Sequence, residues 1–519
     1  LEANATPVAL APAAPTGLTA SPGDGVVSLN WMASLGATSY NVKSATTSGG
    51  PYTTITNVTA TSVYDTSVAD GTTNYYVVSA VDADGQSTNS TEVSATPSST
   101  PPLVYAVENT GKNLAAPLLP TVPPPTVFPL IPALPDPFYW ANDSLNIAGT
   151  SSTNFADWEH HRNQIKTEIE TYEIGPKPVG PIGTNIIATY SGSTNAGGSG
   201  TLTVKIFVGT NSITLTAPVS IPAGATAPYP VCIGMDSSYG SLQSSDFTSR
   251  GIVGVAYSES QVSSYGSPQN TDPYYKAFGP LGYNIDNTGQ YSAWVWGFSR
   301  IIDGLTLVSN PSYTNSLPID LTHICVTGCS YAGKLALYSG AFDERVALTI
   351  AQESGGGGDT SWRYSQTEPS GSVEDINNTD YNWFATQLRN FGTTNVSYLP
   401  EDHHELMAMC APRALLCTGN TDVNWLSNPS AYVSGEACAR LYESFGLGDR
   451  MGFYIDGGHG HCAYPAALST YLDYFLDKFM KGNTSLSQDV RVVPDAFSSI
   501  NYTNWTSWWG TTNPVVGGP

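Results

Sequence analysis

Positive charge is what this chain has least of. It carries 19 Lys and Arg against 42 Asp and Glu, a net charge of −23 at pH 7. A polyanion such as nucleic acid is therefore repelled on average, and no basic run offsets the repulsion. Long apolar runs are also missing: no stretch reaches the ~20 apolar residues that a membrane-spanning helix needs, so no membrane partner is expected. Leu1 to Pro15 is rich in Ala and Pro and has no basic n-region, so the chain reads as already processed. Cysteine is sparse, with seven residues in 519, and the odd number leaves at least one unpaired even if disulfides form. Little Lys, much Thr, Ser, Asn, Gly and Tyr, and several Asn-x-Ser/Thr sequons suit an extracellular protein. What is present is enough apolar residue, 40% of the chain, to build two or three packed domains.

Residues 14–97 alternate apolar and polar positions over short runs such as VVSLNW, SYNVKSA and NYYVVSAVD. Turn signals, among them Pro22-Gly23-Asp24-Gly25 and Ser48-Gly49-Gly50-Pro51, separate the runs. That spacing predicts an all-β sandwich. The segment resembles a fibronectin type III domain through Pro15-Thr16-Gly17-Leu18, Trp31 and Tyr75-Tyr76-Val77-Val78-Ser79-Ala80. The resemblance implies a fold, and a spacer is the simplest use of it.

Residues 98–136 hold many prolines without periodicity, which predicts an extended linker leading onto the next domain. A helix is expected over FADWEHHRNQIKTEIETY, where Phe155, Trp158, Ile165, Ile169 and Tyr172 share helical spacing. His160 and His161 lie within it as surface or packing residues, not as metal ligands. From there to about residue 481 strand and helix patterns alternate, which predicts a doubly wound, mostly parallel α/β domain over 137–481. The tail, residues 482–519, has Trp505, Trp508 and Trp509 but no period, and is expected to lie against that domain.

The strand HICVTG runs into Gly328-Cys329-Ser330-Tyr331-Ala332-Gly333 and then a helix. A nucleophilic serine on a strand-to-helix elbow needs small residues two positions before and after it, here Gly328 and Ala332. In α/β-hydrolases the acid and then the base follow at the carboxyl ends of later strands. Those ends carry Glu353, Asp422, and the pair His459 and His461. Glu353 and Asp422 are both candidates for the acid.

The domain resembles the glucuronoyl esterases, enzymes that cleave esters between lignin alcohols and 4-O-methyl-glucuronate on xylan. The likeness runs in order through Leu134-Pro135-Asp136-Pro137-Phe138, the Ser330 elbow with Gly333-Lys334, and Gln352-Glu353-Ser354 with its four glycines. It continues through Trp362-Arg363, Asp402-His403-His404, Ala411-Pro412-Arg413, Asn424-Trp425-Leu426 and Gly458-His459-Gly460-His461-Cys462. The resemblance implies Ser330 as nucleophile, His461 as base and Glu353 as orienting acid, with Asp422 as the substitute. It further implies that Lys334 bonds sugar hydroxyls and that Trp425 covers the uronate ring, with Glu374 and Asp380 as weaker matches to a sugar-binding polar pair. The family usually has Arg after the serine, at the oxyanion position, where this chain has the uncharged Tyr331.

Cys329 precedes the nucleophile and Cys462 follows the base, so a working triad draws the two together, and some members of the family join these positions; a disulfide is expected there. The expected protein is thus a secreted monomer acting on glucuronoxylan or lignin–carbohydrate material, without metal or organic cofactor. An acetyl or feruloyl esterase on the same fold, or an adhesion or carbohydrate-binding protein with an impaired hydrolase domain, are the rival readings.

Overall fold

The computed structural model describes residues 11–23, 26–59, 61–65, 67–97, 103–109, 130–140, 150–151, 155–181 and 183–510. Most of the proline-rich segment lies outside the described residues. The chain forms two compact units, Leu1–Lys112 with Asn154–Glu159, and Asn113–Thr153 with His160–Pro519.

In the first unit β1 (Thr16–Gly23), β2 (Val26–Met32) and β5 (Ser62–Asp65) make one antiparallel sheet. A second contains β4 (Thr53–Val58), β3 (Ser39–Ala45), β6 (Asn74–Asp82) and β7 (Gly85–Gln86) in that order, with β8 (Val93–Ala95) also paired to β6. The alternating residues turn inward, and Leu18, Val27, Leu29, Trp31, Tyr40, Val42, Tyr76 and Val78 form one core. Inside it Tyr76 donates a 3.0 Å hydrogen bond to Asp65, which satisfies the one polar atom its ring carries inward.

The second unit opens with a short antiparallel pair, β9 (Tyr139–Trp140) and β10 (Thr150–Ser151). Helix α1 (Phe155–Tyr172) follows, its residues from His160 onward belonging to this unit. A ten-stranded sheet then runs in the order β11 (Ile186–Gly192), β12 (Ser199–Val208), β13 (Asn211–Ser220), β15 (Val253–Tyr257), β14 (Tyr229–Met235), β16 (Ile319–Cys329), β17 (Leu348–Gln352), β18 (Ala414–Asn420), β19 (Met451–Asp456) and β20 (Val490–Val492).

Every pair from β15 to β20 is parallel, whereas β11, β12 and β13 pair antiparallel. Side-chain pattern explains the division. In β13 Ile213, Leu215, Ala217 and Val219 are buried while the residues between them are exposed, as in a sheet with one wet face. All seven residues of β14 and all seven of β18 are buried, as covered parallel strands require.

The cover comes from helices α2 (Ser244–Thr248), α3 (Pro273–Phe278), α4 (Gln290–Val308), α5 (Tyr331–Phe342), α6 (Trp362–Ser365), α7 (His403–Ala408), α8 (Asn428–Ser444), α9 (Leu468–Phe479) and α10 (Thr503–Thr506). The tail adds β20 to the sheet and sends the indole N–H groups of Trp508 and Trp509 to the Leu134 carbonyl. No described helix is long and apolar enough to cross a membrane.

Candidate active site

Ser330 stands between β16 and α5 with φ +61° and ψ −128°, a conformation that holds its side chain clear of both elements. The turn is tight enough that a Cβ on Gly328 would lie 2.3 Å from the Ala332 carbonyl oxygen, so no larger residue fits there. The Ser330 amide donates to the Gln352 carbonyl at 3.0 Å, which ties the elbow to the end of β17. One residue on, Glu353 is 3% exposed and has φ +44°.

The Glu353 carboxylate accepts from His461 Nδ1 at 2.7 Å and from the Cys462 amide at 3.1 Å through the same oxygen, Oε2. Nδ1 facing a carboxylate carries the proton, which leaves the Nε2 lone pair as the basic atom of the ring. Cys329 and Cys462 are joined by a disulfide with their Cα atoms 5.8 Å apart, so the neighbours of Ser330 and His461 are covalently linked. The remaining five cysteines are free and buried. Among the described residues the Ser330 hydroxyl has no hydrogen-bond partner. Catalytic hydrogen bonds of empty sites are often long and tighten when substrate binds.

Asp422 does not reach the base. Its carboxylate accepts from the Gly458 amide at 2.8 Å, so it braces the Gly-Gly-His-Gly-His loop, and of the two candidate acids only Glu353 touches His461. His459 bonds Asp456 through Nε2 at 2.8 Å and stands with Nδ1 3.9 Å from Glu353 Oε1. Burial, the largest single influence, lowers the His459 pKa, but the Asp456 and Gly460 hydrogen bonds and the Asp456 and Glu353 charges together outweigh it and the net shift is upward.

Lys334, one turn along α5, is almost fully buried, and its Nζ meets Glu374 Oε2 at 2.8 Å and lies 5.1 Å from the centre of the Trp383 ring. Glu374 also accepts from Thr379, and its amide bonds the Trp425 carbonyl at 3.0 Å. Trp425 is 40% exposed and sets its ring edge-on to His461 with centroids 4.9 Å apart. Asp380 is not part of the Lys334–Glu374 pair; its carboxylate accepts from the Asn382 amide within its own turn.

Tyr331 differs most from expectation. Its hydroxyl is given to Asp236 at 2.8 Å, with Glu259 at 3.4 Å, so the phenol is not free to donate to an oxyanion. The backbone N–H of Tyr331 remains in the first turn of α5, where amides have no intrahelical partner. Burial, then the Glu259 charge, push the phenol pKa well up. The ring stacks near Tyr265 and Trp383, with centroids 4.5 and 6.5 Å away. Asp236, Glu259, Tyr265 and Trp383 were not picked out from the sequence. The signal for the first two was present, since both stand just beyond the carboxyl ends of strands, β14 and β15, ahead of Ser330 in the chain.

One buried cluster has metal-ligand chemistry, Glu173, Glu401 and His403. His403 Nε2 lies only 2.8 Å from Glu173 Oε1, which also accepts from Tyr338. Two donors on one tetrahedral ion with bonds of ~2.0–2.1 Å sit more than ~3 Å apart. The pair is therefore a hydrogen bond. His161 is buried, and burial draws its pKa down to about 4, so its ring is neutral at pH 7.

A family model described as glucuronyl esterase of fungi matches residues 204–446. A 4-O-methyl-glucuronoyl methylesterase of Wolfiporia cocos is 39% identical over 389 residues, 72% of this chain and 88% of that protein. The chain belongs to the glucuronoyl esterase family. It is accordingly a carboxylic ester hydrolase.

A second relative of the same name, from Cerrena unicolor, is 35% identical over 74% of this chain and 76% of its own length. Among solved structures, the glucuronoyl esterase catalytic domain from Hypocrea jecorina superimposes with a TM-score of 0.64 at 28% identity, over 76% of this chain and all of that one. A mutant of the Sporotrichum thermophile glucuronoyl esterase in complex with methyl 4-O-methyl-β-D-glucopyranuronate gives 0.62 at 28% identity, over 73% of this chain and 95% of its own.

Proposed function

We propose that this esterase hydrolyses esters of glucuronic acid and 4-O-methyl-glucuronic acid on xylan, including those to lignin alcohols, through an acyl-enzyme on Ser330. The observation that carries the reading is the 2.7 Å bond from His461 Nδ1 to Glu353, on a loop whose next residue is bonded to the residue before Ser330. In the first step Ser330 Oγ adds to the ester carbonyl while its proton passes to His461 Nε2. Glu353 fixes the imidazole tautomer and stabilises the imidazolium. The Tyr331 amide at the start of α5 donates to the developing oxyanion, helped by the partial positive charge of the helix terminus.

Collapse of the intermediate expels the alcohol, which takes the proton from His461. Water then adds to the acyl carbonyl with His461 again as base, and the uronate leaves. Lys334 and Glu374 fit hydrogen bonding to ring hydroxyls, and Trp425 fits a cover for the ring, since it is exposed beside His461. Asp380, whose charge acts on Tyr265 and Tyr291, is proposed as the weaker member of that sugar-binding pair. The two-sheet unit over 14–97 is proposed as a fibronectin type III-like spacer, followed by a linker over 98–136, the esterase domain over 137–481 and an associated tail over 482–519. The disulfide supports an extracellular, oxidising setting.

The test is hydrolysis of methyl 4-O-methyl-glucuronate beside acetylated xylan and a feruloyl ester. Turnover of the first that disappears in Ser330→Ala, in a protein that still melts cooperatively, is the expected result. Turnover of the other two alone would reassign the substrate.

A further inference from the structure

Two carboxyls stand beside the nucleophile with no cation to balance them. Asp236, with φ +60° at the end of β14, is exposed, and Glu259, just past β15, is 2% exposed. Neither forms an ion pair among the described residues. Both face the Tyr331 hydroxyl, at 2.8 and 3.4 Å. Because both face one phenol oxygen, the two carboxyls stand close enough for two full charges to repel, and one proton held between them relieves that repulsion. The second oxygen of Glu259 is buried without a partner, which makes a full negative charge there costly.

We propose that Asp236 and Glu259 form a proton-sharing pair that regulates the charge beside the oxyanion site, with one negative charge while the esterase is active and a second that slows it. The inference rests on the esterase reading above. Tyr331 is the bridge. Its amide, at the start of α5, is the proposed oxyanion donor while its hydroxyl faces the pair, so charge arriving on Glu259 opposes the negative charge the tetrahedral intermediate develops. In general, a second unit charge on the order of 10 Å from a developing oxyanion, at an effective dielectric constant near 20, slows a reaction roughly tenfold.

Among the described residues no cation faces Glu259, and only hydrogen bonds from the Tyr331 hydroxyl and its own backbone amide favour its charged form. Asp236 comes from the β14 loop, Tyr257 from β15, Tyr265 from the following loop and Tyr331 from α5, and none of them brings positive charge. Burial first, then the Asp236 charge, raise the Glu259 pKa to about 7. In the folded protein Glu259 thus keeps its proton to higher pH than in the unfolded chain. Its contribution to stability is complete below the unfolded value near 4.5 and is lost as pH rises towards 7.

The experiment measures kcat/KM for methyl 4-O-methyl-glucuronate from pH 4.5 to 8.5, and melting temperature over the same range. It compares the wild type with Glu259→Gln and Asp236→Asn, either of which limits the pair to one negative charge. Asp236 is exposed, so its variant folds even if the buried substitution does not. The wild type should lose about tenfold in kcat/KM between pH 6 and 8.5; Glu259→Gln should stay level and gain melting temperature over wild type only above pH 6, while Asp236→Asn, which leaves Glu259 buried but removes its charged neighbour, should move the fall to lower pH, and a fall unmoved in Asp236→Asn counts against the pair. A flat wild-type profile, or an alkaline fall that survives in both variants, overturns the proposal. If the wild type turns over no ester at any pH, the esterase reading fails instead. The melting curves then decide the pair alone, and a Glu259→Gln difference that does not change with pH refutes it.

Discussion

Replacing both disulfide cysteines, Cys329→Ala with Cys462→Ala, removes the one covalent tie between the serine elbow and the histidine loop. The bond closes a sequence separation of 133 residues. In the chain-entropy model a loop of that length stabilises the folded state by about 5 kcal/mol at 25 °C, an upper value because residual structure in the unfolded chain reduces it. The second unit comprises Asn113–Thr153 and His160–Pro519, and unfolding entropy near 60 °C is about 2.1 cal/mol/K per residue. Dividing one by the other gives a fall of about 6 °C in the melting temperature of that unit. Loss of two sulfur atoms adds little, because only Cys329 is fully buried.

Activity should suffer less than stability. Glu353 still holds His461 at 2.7 Å and the Cys462 amide at 3.1 Å, so the loop keeps two of its anchors. The expected change is a kcat lowered several-fold with KM nearly unchanged. Calorimetry without reductant, with peptide mapping to verify the bond in the wild type, is the assay. A mapped bond with an unchanged melting temperature in the double variant would refute the loop-closure argument, and free alkylation of both thiols in the native protein would remove its premise.

Glu353→Gln should lower kcat by about 10³–10⁴, because the imidazole loses its orienting charge, whereas Asp422→Asn, which loses only a loop brace, should cost less than tenfold. Steady-state kinetics on a glucuronate ester ranks them, and the reverse order would make Asp422 the acid. Lys334→Met should depress kcat/KM for glucuronate esters far more than for a simple acetate ester, since only the sugar offers ring hydroxyls. Its stability should also fall by about 3–5 kcal/mol, as breaking a buried ion pair does. Gly333→Ala would place a Cβ 2.3 Å from the Gln352 carbonyl oxygen, and a loss of about 1–3 kcal/mol or more in denaturant unfolding is expected because backbone, not a flexible side chain, must move.

Much of the sheet was legible because each strand was short, apolar and bounded by turn residues. Runs such as HICVTG and RALLCTGN are too short for a spanning helix and fit a doubly covered strand, and β16 and β18 lie there. Two strands were not seen. IIATYSG, now β11, alternates too weakly to stand apart from the loop before it, and its burial depends on the hairpin β12–β13 beside it. Only three residues long, β20 is below any period, and its strand geometry is imposed by the exposed edge of β19.

The candidate site divides along a similar line, between contacts dictated by neighbours in the chain and contacts made by the fold. The elbow at Ser330 follows from its own residues. The competition between Glu353 and Asp422 could not be settled from strand ends, because both occupy equivalent positions on adjacent strands. In the fold Glu353, at φ +44°, brings its carboxylate to His461, while Asp422 is taken up by the Gly458 amide. Tyr331 shows the limit from the other side. Read in the chain, it is a phenol beside the nucleophile, free to serve the oxyanion. In the fold its hydroxyl has acceptors 95 and 72 residues earlier, and a hydrogen bond to a charged acceptor outweighs one to a neutral carbonyl that has yet to develop charge. The same pairing that withdraws the phenol from the reaction places an acid pair next to it. The uncharged residue at this position therefore alters the site through the groups it gathers as well as through the charge it lacks.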